Sequence, residues 1–180
     1  MPLRFHVVAL PHTQTSKQHC ACAYTQKVLN FCKMMRSLGH TVFHYGAEGS
    51  QVDCDEHVEV ISQEEQQLLC GARDHTRQVY DQPWDPARPW WQLANARTIA
   101  GVLRRKSPRD FLCLIGGWPQ KPIADAAGKG MLVVEFGIGY SGTFAPYRVF
   151  ESYAHMARIL GGENWWAWRS WPFRPTRWAA

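Results

Sequence analysis

The first arrangement in this chain that could do chemistry is an acid at the end of an apolar run, followed by spaced glycines. Residues 131–136 are apolar except for Glu135, and Gly137, Gly139 and Gly142 come directly after. A carboxylate there loses solvent, which raises its pKa unless it is paired. That suits a general base or a structural hydrogen bond. Dense glycine at the carboxyl end of a strand either lets a ligand approach the backbone or makes a tight turn. Pro146 then opens a segment with helical spacing in which Arg148 and Glu151 stand three residues apart. Near a helix start Arg148 would reinforce an anion site. As a surface ion pair, the two would contribute only about 0.2–0.5 kcal/mol.

Two other stretches have suitable residue types. His12 lies in the polar run Pro11-His12-Thr13-Gln14-Thr15-Ser16. An imidazole titrates near neutrality, so it could take a proton from a hydroxyl, or it could hydrogen-bond the backbone. Thr13, Gln14 and Thr15 carry groups that could position a sugar or phosphate, or cap the next helix. Gly116-Gly117 ends the apolar run Phe111 to Ile115 and either admits a substrate or turns the chain.

The elements that must position these residues follow from periodicity. Phe5 to Leu10 reads as a buried strand. The spacing of Tyr24, Val28, Phe31, Met35 and Leu38 predicts a helix over about 20–38, capped by Ser16 or Thr15 and stopped at Gly39. Strands are expected over 41–45, 57–61, 111–115 and 131–136. Helices are expected from Ser62, whose capping box includes Glu65, over 90–105 and 122–127, and from Pro146 to about Leu160. Val149, Phe150 and Tyr153 are core positions on this reading. Residues 71–89 carry three prolines and read as a long, functional excursion. Strands alternating with helices predict an α/β fold, a Rossmann-like three-layer sandwich on a mostly parallel sheet of five or more strands. All three candidate loops then fall at the carboxyl edge of that sheet, where such folds bind ligands.

Composition narrows the function classes. The 180 residues suit one domain, and 46% hydrophobic with 19% charged residues describes a globular chain. No apolar run approaches the roughly 20 residues of a membrane span, and the N-terminus lacks a signal-peptide pattern, so a cytoplasmic protein is expected. A net charge of +5 is mild for a nucleic-acid binder. Cys20 and Cys22 have no second cysteine pair to complete a zinc site, so the thiols are expected to be reduced and no metal is expected. The domain is expected to end near residue 162. Residues 163–180 form a tail with five of the nine tryptophans, three arginines and two prolines, without regular period. Gly137-x-Gly139-x-x-Gly142 has dinucleotide-site spacing. It stands at the end of the sheet, however, and lacks a ribose-binding acid about 20 residues on.

Phe-Leu-Cys-Leu-Ile-Gly-Gly (111–117), Lys-Pro-Ile-Ala-Asp-Ala (121–126) and Val-Glu-Phe-Gly-Ile-Gly-Tyr-Ser-Gly-Thr-Phe-Ala-Pro-Tyr-Arg-Val-Phe-Glu-Ser-Tyr-Ala (134–154) resemble glycosyltransferases with two Rossmann domains, the GT-B type. These occur in phages, giant viruses and bacteria. Leu-Pro-His-Thr-Gln-Thr (10–15) and residues 31–40 resemble the N-terminal half of the same group. The similarity spans roughly residues 4–160. It implies an acceptor-side domain that takes part in moving a sugar from a nucleotide sugar, with no other cofactor, to a hydroxyl acceptor. Carbohydrate or DNA is the implied acceptor, with the donor domain on a partner chain. His12 and Glu135 are the implied catalytic residues. Thr13, Gln14, Thr15, Gly116, Gly117, Gly137, Gly139, Tyr140, Gly142, Arg148, Glu151 and Ser152 are the implied substrate contacts. The alternative is a non-catalytic binding module, or one subunit of a split enzyme.

Overall fold

A computed structural model describes residues 2–19, 21–71 and 84–169, with side chains through residue 162. The chain order is β1 (Arg4–Val8), α1 (Ala23–Ser37), β2 (Thr41–Ala47), β3 (Glu56–Ile61), α2 (Gln63–Cys70), α3 (Pro89–Arg105), β4 (Phe111–Leu114), α4 (Lys121–Ala127), β5 (Leu132–Ile138), β6 (Tyr147–Phe150) and α5 (Tyr153–Arg169). The strands form one sheet in the order β3-β2-β1-β4-β5-β6, parallel at every pairing. Helices cover both faces, as expected of a Rossmann-like sandwich. The chain winds outward from β1 in one direction and then, from β4, in the other. The switch point therefore lies between β1 and β4.

Burial on both faces accounts for the near-continuous apolar strands. On one face Phe5, Val7, Val42, Cys113 and Phe136 pack with Val28 and Cys32 of α1. On the other Val8, Tyr45, Leu112 and Leu114 pack with Ala94 and Val102 of α3 and Ile123 and Ala127 of α4. Cys32, Cys70 and Cys113 are buried and serve as small core residues. Below β1, His6 bonds Tyr45 Oη at 2.8 Å and Asp110 Oδ2 at 3.0 Å, and Arg4 reaches the same carboxylate at 3.1 Å. No helix among the described residues is long and apolar enough to cross a membrane.

The ending of the sheet differs from expectation. Pro146 opens a sixth strand rather than a helix, and the last helix starts at Tyr153. The Tyr147-Arg148-Val149-Phe150 run is rich in β-branched and aromatic residues, and Ser152 supplies the cap that the helix needs. Its Oγ accepts from the His155 amide at 3.2 Å. Because β6 is an edge strand, Val149 is 54% exposed and Tyr153 just beyond it 86%, so neither is core. Helix α5 also continues past residue 162 to Arg169, so the expected tail boundary falls inside a helix. The remainder of that tail lies outside the described residues, as does most of the 71–89 excursion. Helix α1 begins later than expected, with Cys22 rather than Ser16 or Thr15 at its N-cap.

Candidate functional site

Strands β5 and β6 run parallel, yet only residues 139–146 join them. Parallel crossovers ordinarily need about a dozen residues or more and use a helix. Glu135 holds the short return in place. Its carboxylate is fully buried and accepts from the Phe144 and Ala145 amides, each at 2.8 Å, and from the Tyr140 hydroxyl at 3.1 Å. Both oxygens are therefore occupied by donors from the loop itself. This is the structural alternative for Glu135, and it leaves no oxygen directed at a substrate. Burial raises the Tyr140 pKa, and the adjacent Glu135 carboxylate raises it further, so Tyr140 stays a neutral donor.

The loop after β4 is closed from within. Gln120 is 1% exposed and its Oε1 accepts from the Ile115 amide at 3.0 Å and the Gly116 amide at 2.7 Å. Its Nε2 donates to Ala9 O at 2.9 Å. One amide side chain thus bridges β4 and β1 at the switch point and fills the position where a phosphate would meet backbone amides. A Cβ on Gly116 would approach Gln120 Cδ to 2.7 Å. Gly117 has φ +61°, and a Cβ there would meet the Tyr140 ring at 2.7 Å. These two glycines admit the protein's own side chains rather than a ligand.

The β1–α1 loop is closed in the same way. Thr13 and Thr25 hydroxyls bond at 2.7 Å, and Gln14 donates to Gln66 at 2.7 Å. The Thr15 amide donates to Ser50 Oγ at 3.0 Å, and its hydroxyl bonds His44 Nε2 at 3.1 Å. His44 in turn meets His57 Nδ1 at 2.9 Å. Burial pushes the His44 pKa down to about 3, with the neighbouring His57 adding to the shift. His12 is 2% exposed and stands edge-on to Trp91 and Trp84, with ring centroids at 6.2 and 6.5 Å.

Beside these loops lies an aromatic cleft of ≈540 Å³, of ligand-pocket size, while Arg148, Glu151 and Ser152 line a separate hollow of ≈480 Å³. Trp84, the Gly139-Tyr140-Ser141 loop, and His155 and Arg158 of α5 line it. Trp84 is 40% exposed, and its ring lies 6.5 Å from Tyr140 with planes 29° apart. Tyr24 stands 5.6 Å from Trp84 and 6.4 Å from Tyr140, completing an aromatic corner. Beside it, Lys27 lies over the Tyr24 ring and donates to Gly137 O at 3.1 Å. It also pairs with Glu151 at 2.7 Å. Gly137 carries the Lys27 stem against it, and Gly139 lies under Tyr24 Oη. Gly142 has φ +80°, and a Cβ there would meet nothing within 4 Å.

Of the expected site residues, the fold brings Gly139 and Tyr140 to this cleft. Glu135, Gly116, Gly117 and Gly137 lie behind it as supports. Thr13, Gln14 and Thr15 are engaged within the β1–α1 loop. Arg148 and Glu151 do not share a helix: Arg148 is an exposed edge-strand residue donating to Ala145 O at 3.0 Å, while Glu151 joins Lys27 and Ser152 caps α5. Trp84, Tyr24, Lys27, Gln120, His155 and Arg158 were not singled out by residue type. The one usable signal was Trp84's place in the proline-rich excursion. Among the described residues no group of three or more metal-ligating side chains occurs. The sequence matches no family model and no curated protein, and the structure matches no solved structure.

Proposed function

We propose that this domain is the acceptor-side half of a GT-B-type glycosyltransferase, seating a sugar acceptor in the cleft of Trp84 and Tyr140. The observation that carries the reading is the contrast at the carboxyl edge of the sheet. The amides that would cradle a donor phosphate at the switch point are taken by Gln120. The open space beside them has aromatic walls. The C–H faces of a sugar ring pack well on such walls, and aromatic faces add specific attraction to area burial. Donor binding then belongs to a partner domain.

A second reading is favoured by the state of the two expected catalytic residues. Glu135 accepts from three donors of its own loop, and His12 is buried with Trp91 and Trp84 edge-on to it. On that reading the chain is a binding module whose chemistry depends entirely on its partner.

Titration calorimetry of the purified chain with methyl glucoside and with UDP separates donor-side from acceptor-side binding. Binding of methyl glucoside that is lost in Trp84→Ala supports the acceptor-side reading. Tight binding of UDP by the chain alone would overturn it. Transfer to a glycoside on addition of a donor domain, abolished in His12→Gln, would decide against the binding-module reading.

A further inference from the structure

The charge of the cleft points to a narrower class of occupant. Arg158 lines it from α5 and makes no ion pair with any described residue. Among the described lining residues there is no carboxylate. Glu135 lies behind the lining with its carboxylate on the Tyr140 hydroxyl, and Glu151 has one oxygen 2.7 Å from Lys27 Nζ and the other 3.8 Å from His155 Nδ1. Elsewhere on the surface Arg97 pairs with Glu65, Arg105 with Glu56 and Arg36 with Asp55, while Arg104 and Arg109, like Arg158, have no ion pair among the described residues. An unmatched guanidinium beside an exposed indole and a phenol is a different arrangement. It offers a planar fork of donors within the same ≈540 Å³ that the ring faces border.

We infer that the cleft recognises a sugar that carries a phosphate group, with the ring on Trp84 and Tyr140 and the phosphate on Arg158. The inference rests on the acceptor-side reading of the same cleft and adds the anionic group to it. A neutral sugar would leave Arg158 facing water. Inorganic phosphate would gain Arg158 alone, a single exposed contact that salt screens readily. A sugar phosphate uses both walls.

Calorimetric titration with glucose 6-phosphate, methyl glucoside and inorganic phosphate tests this on the wild-type chain and two variants. Glucose 6-phosphate is expected to bind about tenfold or more tightly than methyl glucoside, the effect of one charge-assisted hydrogen-bonded contact. Arg158→Gln should remove that advantage and change methyl glucoside binding far less, since a neutral sugar brings no anion to Arg158. Trp84→Ala should weaken both sugars. Rising salt should weaken glucose 6-phosphate only. Equal affinity for the two sugars, or an Arg158→Gln variant that keeps the preference, overturns the phosphate assignment and leaves the acceptor-side reading standing. Inorganic phosphate binding as tightly as glucose 6-phosphate also overturns it, because the ring would then contribute nothing. If neither sugar binds, both readings fail together.

Discussion

Gly116-Gly117 and Gly139 to Gly142 follow neighbouring strands of one sheet, and their surroundings are opposite. At the first, Gln120 and Tyr140 press against the glycines and Gln120 answers two backbone amides. At the second, Glu135 holds the loop from beneath while its outer side lines an open cleft. Glycine spacing alone does not separate a ligand site from a place where the protein needs room for its own side chains. What separates them is the origin of the hydrogen-bond partner. A neighbouring side chain supplies it in the closed loop, and in the open one a buried acid supplies it from the side away from solvent.

The largest expected effect tests the support under the open loop. Glu135→Ala strands two amides and a hydroxyl that each lost a buried acceptor, which should cost about 4 kcal/mol in urea unfolding. Glu135→Gln keeps an oxygen for the two amides and should cost about 1–2 kcal/mol. A catalytic carboxylate would show the reverse pattern, with full stability and lost activity in both variants. Next, Gln120→Ala removes the bridge of the closed loop. About 3 kcal/mol should be lost, because two buried amides and the Ala9 carbonyl lose their partner. A loss under about 1 kcal/mol would mean that water replaces Gln120 and that the switch point is open after all.

Acid should act on the closed side first. The folded His44 pKa is about 3 against an ordinary 6.5, so the unfolded chain takes up a proton that the folded chain refuses. The stability this provides is complete above pH 6.5 and falls as the pH drops from there toward 3. Between pH 7 and 5 it amounts to about 2 kcal/mol. His6, also pushed down by burial against the pull of Asp110, acts in the same direction. Urea midpoints across this range should flatten in a His44→Gln variant; an unchanged slope would exclude His44 as the cause.

The smallest effects compare two glycines directly. Gly117→Ala combines a positive φ with a 2.7 Å approach to Tyr140 and should cost about 2–3 kcal/mol. Gly142→Ala has the positive φ and open space, and should cost about 1 kcal/mol. Equal losses would remove the distinction between the two loops.

Much of the fold was legible in local pattern. The strands before residue 136, the Ser62–Glu65 capping box and the helix over 90–105 come from signals carried by adjacent residues. The sixth strand was not legible, because Pro146 fits a helix start as well as it fits the residue before an edge strand. The site was legible as an edge and not as a set of residues. His12, Thr13, Thr15 and Glu135 have the right types, but all are buried, with Thr15 bonded to Ser50 and His44 and Glu135 to its own loop. Tyr24, Lys27 and Arg158 lie on helices where nothing local marks them.

By itself the sequence determined that strands and helices alternate, that the sheet is covered on both faces, and that three polar or glycine-rich loops share its carboxyl edge. Those are consequences of period and of the handedness of crossovers. The tertiary structure alone decided which of the loops is closed and which is open. That depends on hydrogen bonds between residues as far apart as Gln120 and Ala9, and on the meeting of Trp84, Tyr140 and Arg158 from separate segments. Side-chain satisfaction is settled in space, so the same glycines could be a ligand cradle or a plugged turn until their partners were known.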